Sequence, residues 1–484
     1  MVKFIKKILE NKITLMILFI LYLMISFILV LHHEIWTDEA QAWLIARDLS
    51  FLDIVKQMKY EAHSCLWHLI LMPFAKLGLP VITMNIISWI MVSTAVYFII
   101  FRSKWHFLVK ATIIFSPTYI YFSPVVSRCY SLIPIFLCLF STLYPKRKEH
   151  PFWYANILGI LAHTHIIMCG FVGIAALLFL LEYIRNWNKI YKKEFLIILS
   201  IFIFYFILLA IQIFPSLTNG CIFIANKATN TSKLLDTLHW ISDIFFRSSN
   251  SIFFIILLGI ILLITNILIF LYNKKLFSIF LSFLIVFIGI HMFWPFSTLE
   301  RMCILFVVMT TLNLYNKNGF MQFLLFILSI CMIITHFAQI KFDFYNDYSG
   351  SKNMASYINE NVEDHSLIVF LNSDRHVSTI PYIKKEVDYY NLKLNSFQTY
   401  ITWNYKNYSP IQYNATIKQL NQFSTQYDSI YVMTASLSGF LNNDVQSVVH
   451  QLLSNNEIIP CYISNYNIKE EIFSLYMYKK DLQS

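Results

Sequence analysis

The sequence predicts an α-helical polytopic membrane protein of about eleven transmembrane helices with a small C-terminal soluble α/β domain, and three observations predict it. Of 484 residues 57% are hydrophobic and 13% charged, with a mean hydropathy of +0.59, whereas a soluble domain carries about 25% charged residues. Apolar runs of spanning length recur as far as residue 340. The first, 13–31, holds nineteen uncharged positions in a row, and a helix rising about 1.5 Å per residue needs about twenty to cross a hydrocarbon core of about 30 Å. No small-residue cleavage site follows this run and comparable runs come later, so it is expected to persist as a helix. After Lys341 the composition turns abruptly to Asn, Ser, Asp and Tyr.

The formal charge of +10 does not indicate nucleic acid, because Lys and Arg sit in short clusters between apolar runs, the pattern of topology signals. The clusters are Lys3 to Lys12, Arg102 to Lys110, Lys146 to Lys148, Arg185 to Lys193, Lys274 and Lys275, and Lys317. Placing all of them in the cytoplasm demands an even number of crossings between neighbours. The stretches 110–146 and 151–181 therefore each become a hairpin of two short helices, with apices near Ser123 to Tyr130 and His163 to Cys169. Spans at 81–101, 195–214, 251–272, 276–294, 301–315 and 320–340 complete the set.

With the N-terminus cytoplasmic, residues 1–340 form the membrane domain, 32–80 and 215–250 are outer loops, and 341–484 is extracytoplasmic. Amphipathic periodicity over 38–58 and 64–78 predicts two helices lying along the outer interface, the second interrupted by Pro73 and Lys76. The loop 215–250 carries Lys227, Lys233, Asp236, His239, Asp243 and Arg247, with an amphipathic piece from Leu234 to Phe246 suited to a lid.

In the tail a helix is expected over 351–361, buried strands over 366–371 and 429–433, and an edge strand of alternating polarity over 472–478. The tail has no glycine-rich phosphate loop, the chain has no internal repeat, and the tail is expected to shield or stabilise the outer face. The eight cysteines, among them Cys138, Cys169, Cys303 and Cys331 inside spans, have no metal-binding spacing and read as free thiols.

Chemistry begins where the first span ends, in His32-His33-Glu34-Ile35-Trp36-Thr37-Asp38-Glu39-Ala40. Thr37 can cap a helix whose first turn holds both acids, an ordinary arrangement favoured by the helix dipole. A carboxylate at a membrane interface can also be desolvated enough to take a proton from an acceptor hydroxyl. The loop continues as Ala40-Gln41-Ala42-Trp43-Leu44-Ile45-Ala46-Arg47-Asp48, then Tyr60-Glu61-Ala62-His63-Ser64-Cys65-Leu66-Trp67-His68, and closes on Phe74-Ala75-Lys76-Leu77-Gly78.

This loop resembles the first outer loop of the membrane-embedded GT-C glycosyltransferases, in particular their protein-mannosyltransferase and aminoarabinose-transferase branch. There an Asp-Glu-Ala start is followed by a second acid, a Pro-Pro-Leu-Tyr-Tyr-like helix and a Lys-Leu-Phe-Gly-like end. The resemblance covers about the first 80 residues and, beyond them, only the layout of spans. It implies a GT-C-like fold, with the catalytic acid at Asp38, its neighbour at Glu39 and the second acid of the loop at Glu61. Ser64-Cys65 stands where the family usually has two prolines, which leaves donor and acceptor preference open.

Arg128 and Tyr130, in Ser127-Arg128-Cys129-Tyr130-Ser131-Leu132, sit at the first hairpin apex, where an arginine either snorkels to headgroups or captures a phosphate. An Arg-x-Tyr here also resembles the family. At the second apex His163 and His165 are two residues apart, so on a regular helix they diverge and do not share a metal; contact with sugar or phosphate is expected of them, and of His63 and Glu39. Arg301 opens the span after Glu300, either as an interface anchor or as a second phosphate ligand.

These readings imply a glycosyltransferase that moves a sugar from a polyprenyl-phosphate donor to an envelope glycan, lipid or protein at the outer face of the cytoplasmic membrane. Inversion is the expected stereochemistry. The partners are membrane lipids and these substrates, not nucleic acid. No cofactor or metal is required by the sequence, although a divalent ion is compatible with it. A transporter or flippase would place ionisable or Gly/Pro-broken sites near the midplane, and a non-catalytic assembly protein would act through the tail alone.

Overall fold

The computed structural model describes residues 10–61, 63–185, 189–214, 230–247, 251–293, 298–372, 376–404, 406, 409–437 and 442–479. The parts of the expected second outer loop at 215–229 and 248–250, with Lys227, lie outside the described residues. Helix α1 (Lys12–His32) is apolar almost throughout and starts on Asn11, whose side chain accepts from the Ile13 N–H at 3.3 Å. The first loop holds three helices, α2 (Thr37–Asp48), α3 (Phe51–Glu61) and α4 (Leu66–Lys76), before α5 (Ile82–Arg102).

The single helix expected over 38–58 is thus two. Ser50 breaks it, its Oγ accepting from the Asp53 N–H at 3.3 Å and starting a new helix. Gly78, with φ of +72°, closes the turn after α4 in a left-handed conformation that suits glycine.

The first hairpin comprises α6 (Phe107–Ile114), a π turn at Thr118–Phe122, a 3-10 turn at Cys129–Leu132 and α7 (Ile133–Leu143). The second comprises α8 (Pro151–Ala162), a turn at Ile166–Met168 and α9 (Cys169–Arg185). Then follow α10 (Lys189–Ile213), α11 (Asn230–Phe246), α12 (Ile252–Tyr272), α13 (Lys274–Phe293), α14 (Leu299–Met302), α15 (Ile304–Leu312) and α16 (Gly319–Tyr345).

Among the described residues eight helices are long and apolar enough to cross a membrane, so this is a multi-pass membrane protein. Three of the expected spans hold shorter helices: α6, α8 and α15 have 8, 12 and 9 residues, which at about 1.5 Å per residue rise about 12–18 Å, well short of a core of about 30 Å. Both hairpins consequently turn inside the bundle. Ser123, Ser127, Ser131, His163, Thr164 and His165 at their apices are all buried, and buried polar groups at such a turn call for specific partners.

The tail forms α17 (Ser351–Asn361), β1 (Leu367–Phe370), β2 (Asp388–Asn391), β3 (Ser396–Phe397), α18 (Tyr413–Ser424), β4 (Ile430–Leu437), α19 (Asn443–Ser454), β5 (Ile458–Ile463) and β6 (Glu471–Tyr478). Its six-stranded sheet runs β3-β2-β1-β4-β6-β5, with β1 parallel to β2 and β4 and the remaining pairs antiparallel. Strand β6 is therefore not the edge strand that its alternation suggested. It lies between β4 and β5, and the alternation reflects two unequal faces.

One face of the sheet, through Ile368, Phe370, Met433, Phe473 and Leu475, joins the same apolar core as the first-loop helices. The other face packs on α18 and α19 through Val369, Val432, Leu420 and Val448. Gly350 lies where the tail closes on itself, since a Cβ there would stand 2.4 Å from Ser464 Oγ and 2.8 Å from the Glu471 carbonyl.

Candidate active site

The end of α1, the start of α5, the two hairpin apices and α14 meet at one end of the bundle, beneath the tail. The acidic pair at the start of α2 divides its labour. Trp36, not Thr37, is the N-cap of this helix, and the Glu39 carboxylate accepts from the Trp36 N–H at 3.3 Å. Glu39 is 0% exposed and also accepts from His33 Nε2 (2.9 Å), Ser127 N (2.7 Å) and Asn85 Nδ2 (3.3 Å). Both its oxygens are thus committed to holding α2, α5 and the first apex together.

Asp38 faces the other way and pairs with Arg128 Nη1, the carboxylate side chain 34% exposed and the guanidinium 11%. The adjacent ties Glu39 to Ser127 and Asp38 to Arg128 place the cation under the acid.

Arg128 lies over the Tyr130 ring, 5.4 Å from its centroid, and Arg301 Nε donates to Tyr130 Oη at 3.3 Å. One phenol thus stands between two guanidiniums. His165 packs edge-on to Tyr130 with ring centroids 5.1 Å apart, and His63 lies 5.1 Å from His165. Burial, then Arg128 and Arg301, push the His63 ring down to about 3, so it is neutral at physiological pH.

His163 turns aside. Its Nδ1 bonds Ser64 Oγ at 3.0 Å and its Nε2 the Tyr205 carbonyl at 3.1 Å, so it braces the second apex against the first loop. The two histidines do not share a regular helix: His163 ends α8, and His165 is extended before the Ile166–Met168 turn.

Glu61 sits at the end of α3, pushed up to about 7 chiefly by burial and further by the charge of Asp38. Its Oε1 accepts from Gln41 Nε2 (2.7 Å) and Gln57 Nε2 (3.1 Å). Both amides also donate to the Ile401 carbonyl of the tail, at 2.7 and 2.9 Å, and the Ile401 N–H donates to Gln41 Oε1 at 2.8 Å. Glu471, at the start of β6, accepts from the Thr37 N–H at 3.3 Å and from Ser349 Oγ at 2.8 Å, adding a negative charge at the N-terminus of α2. Lys469 Nζ lies 4.0 Å from the Trp36 ring centroid and 3.3 Å from Glu300 Oε1, next to Arg301.

The structure accordingly brings together Asp38, Glu61, His63, Arg128, Tyr130, His165 and Arg301, and assigns Glu39 and His163 to bracing. Sequence reasoning passed over Cys129, Gln41 and the tail residues Ile401, Lys469 and Glu471. Cys129 carried a signal, standing between Arg128 and Tyr130; the tail residues carried none. A cavity of about 840 Å³ lined by Phe101, Arg102, Lys104, Leu139 and Trp153 lies by the opposite ends of α5, α7 and α8, away from Asp38.

No protein-family model matches the chain, and no curated protein matches it in sequence. Among solved structures it is similar to the crystal structure of ArnT from Cupriavidus metallidurans bound to undecaprenyl phosphate, with a TM-score of 0.44 and 10% identity over 98% of this chain and 100% of that one.

His33 links this site to pH. Its Nε2 bonds Glu39 at 2.9 Å and its Nδ1 lies 3.8 Å from Asp343 Oδ2. Burial alone would lower the ring, but the two carboxylates prevail and raise it to about 9. A raised histidine stabilises the fold fully below its unfolded value of about 6.5, and the contribution is lost as pH rises through the folded value. The thermal midpoint of the purified protein is expected to fall between pH 7 and 10. His33→Gln should lower the midpoint at pH 7 and flatten its dependence across that window; an unchanged slope would contradict the assignment.

Proposed function

We propose that the protein is a membrane glycosyltransferase of the GT-C type that transfers a sugar from a polyprenyl-phosphate donor to an envelope acceptor at the outer face of the cytoplasmic membrane. The observation that carries this reading is the convergence of one partly exposed carboxylate, Asp38, with two guanidiniums around a phenol, drawn from three separate segments. The resemblance of the first loop to that family supports it independently.

In the reaction the acceptor oxygen attacks the anomeric carbon while the bond from that carbon to the phosphate oxygen breaks. The acceptor proton passes to Asp38. The bonding pair leaves with the polyprenyl phosphate, which gains one negative charge, and Arg128 and Arg301 stabilise that charge where it develops. Guanidinium suits the task because it stays charged when partly desolvated and offers five N–H donors, of which the Asp38 contact uses Nη1. Glu61, held by Gln41 and Gln57, orients the acceptor beside Asp38. The donor's isoprenoid chain lies among the helices, and one displacement inverts the anomeric centre.

A strain lacking the gene is expected to accumulate a polyprenyl-phosphate sugar and to carry an underglycosylated envelope product, both reversed by the wild-type gene. Mass spectrometry of the extracted lipids reads the first, and an unchanged lipid pool together with an unchanged envelope would exclude the reading.

A further inference from the structure

We propose that His63, Cys129 and His165 form a binding site for one zinc ion, ligated by two imidazole nitrogens and one thiolate. This goes beyond the transferase reading and stands without it. The three residues come from the first loop and the two hairpin apices, and one ligand atom from each lies within 4.8 Å of the others. Around a tetrahedral zinc, with bonds of about 2.0–2.3 Å, such atoms stand about 3.3–3.8 Å apart, so an inward movement of about 1 Å closes the set.

Two buried nitrogens in this cluster, His63 Nδ1 and His165 Nε2, have no hydrogen-bond partner, although His165 is only 2% exposed. A buried polar atom without a partner is costly, and a metal bond would satisfy it. Two neutral imidazoles and a thiolate form a borderline-soft set that suits zinc better than magnesium or calcium, which take oxygen ligands.

Two features oppose the ion and must be overcome. His165 Nδ1 accepts from the Ile167 N–H at 3.2 Å; coordination through Nε2 puts the ring proton on Nδ1, so the ring turns away and that weak contact is lost. Arg128 and Arg301 are nearby cations, but Asp38 offsets Arg128, and the Cys129 thiol becomes a thiolate on binding by releasing its proton to solvent. The ion would pin the first loop to both hairpin apices and keep a fourth position for water or an anionic oxygen.

The test uses the full chain, purified in detergent without chelator and without a histidine tag from zinc-supplemented cells. Elemental analysis is expected to find about one zinc per chain, falling to background in a Cys129→Ser, His165→Gln double variant. Zinc removal by a chelator should lower the thermal midpoint of the wild type, and zinc addition should restore it. Cobalt added to the stripped wild type should give a thiolate-to-cobalt charge-transfer band, lost in Cys129→Ser. If the stripped wild type binds neither zinc nor cobalt, or if the double variant keeps its zinc, the proposal is overturned. The wild-type measurements decide it even if a variant misfolds, and none depends on sugar transfer.

Discussion

Asp38→Asn is expected to reduce sugar transfer by about 10²–10⁴-fold, the usual worth of a positioned general base, while the protein reaches the membrane at its normal level and unfolds near the wild-type temperature. The asparagine oxygen can still accept from Arg128, and the side chain is 34% exposed, so little folding energy rests on its charge. What the amide cannot do is take a proton. The measurement is transfer to the native acceptor by membranes carrying each variant at matched expression, and wild-type rates from Asp38→Asn would remove Asp38 from the chemistry. Asp38→Ala is a poorer probe, because it leaves Arg128 without its carboxylate and so changes the proposed phosphate site as well.

The pairing of Asp38 with Arg128 bears on how the site works. A guanidinium held only by headgroups would be mobile, whereas this one is fixed at one corner by the acid and packs on Tyr130, which itself meets Arg301. In the transfer proposed above, its other N–H groups would thereby be oriented before the donor phosphate arrives, the condition under which electrostatic stabilisation is most effective. The tail contributes to the same end. Through Ile401 it fixes the two glutamines that hold Glu61, and through Glu471 it supplies a carboxylate to the N-terminus of the helix that begins beside Asp38.

Much of this was legible in the sequence, for physical reasons that can be named. The hairpins followed from charge parity, because lysines and arginines at 102–110, 146–148 and 185–193 leave apolar runs too long for one ordinary crossing. The acidic start of α2 and the arginines at the first apex and in α14 were likewise readable from local spacing. Three things were not. The break at Ser50 needed a side-chain cap that competes with helix continuation. The position of β6 inside the sheet depends on pairing with β5, a non-local choice that alternation alone does not settle. The grouping of His63, Cys129 and His165 unites single residues from three segments, so no spacing rule could announce it.

The two acids at 38 and 39 should therefore behave oppositely. Glu39→Ala is expected to prevent accumulation of folded protein rather than merely slow it, since the substitution strands the Trp36 and Ser127 N–H groups in a dry interior, takes the carboxylate from the His33 ring, and leaves the Asn85 amide with the Val125 carbonyl alone. Removing one partner of a buried, hydrogen-bonded ion pair costs about 3–5 kcal/mol, a large part of a stability of about 5–15 kcal/mol. Glu39→Gln should be intermediate: one amide oxygen can still accept, but the NH2 group meets donors and the charge opposite His33 is gone. Fluorescence-detected gel filtration and thermal unfolding in detergent measure the order, which should run from Asp38→Asn, near wild type, through Glu39→Gln to Glu39→Ala. If Glu39→Ala folded normally and lost only activity, the bracing role would be wrong and Glu39 would belong with the substrate after all. The same order has a mechanistic meaning. Glu39 holds Ser127 and Asp38 holds Arg128, so loosening the first tie moves the second, and a partly folded Glu39→Gln protein should lose transfer although Asp38 itself is intact.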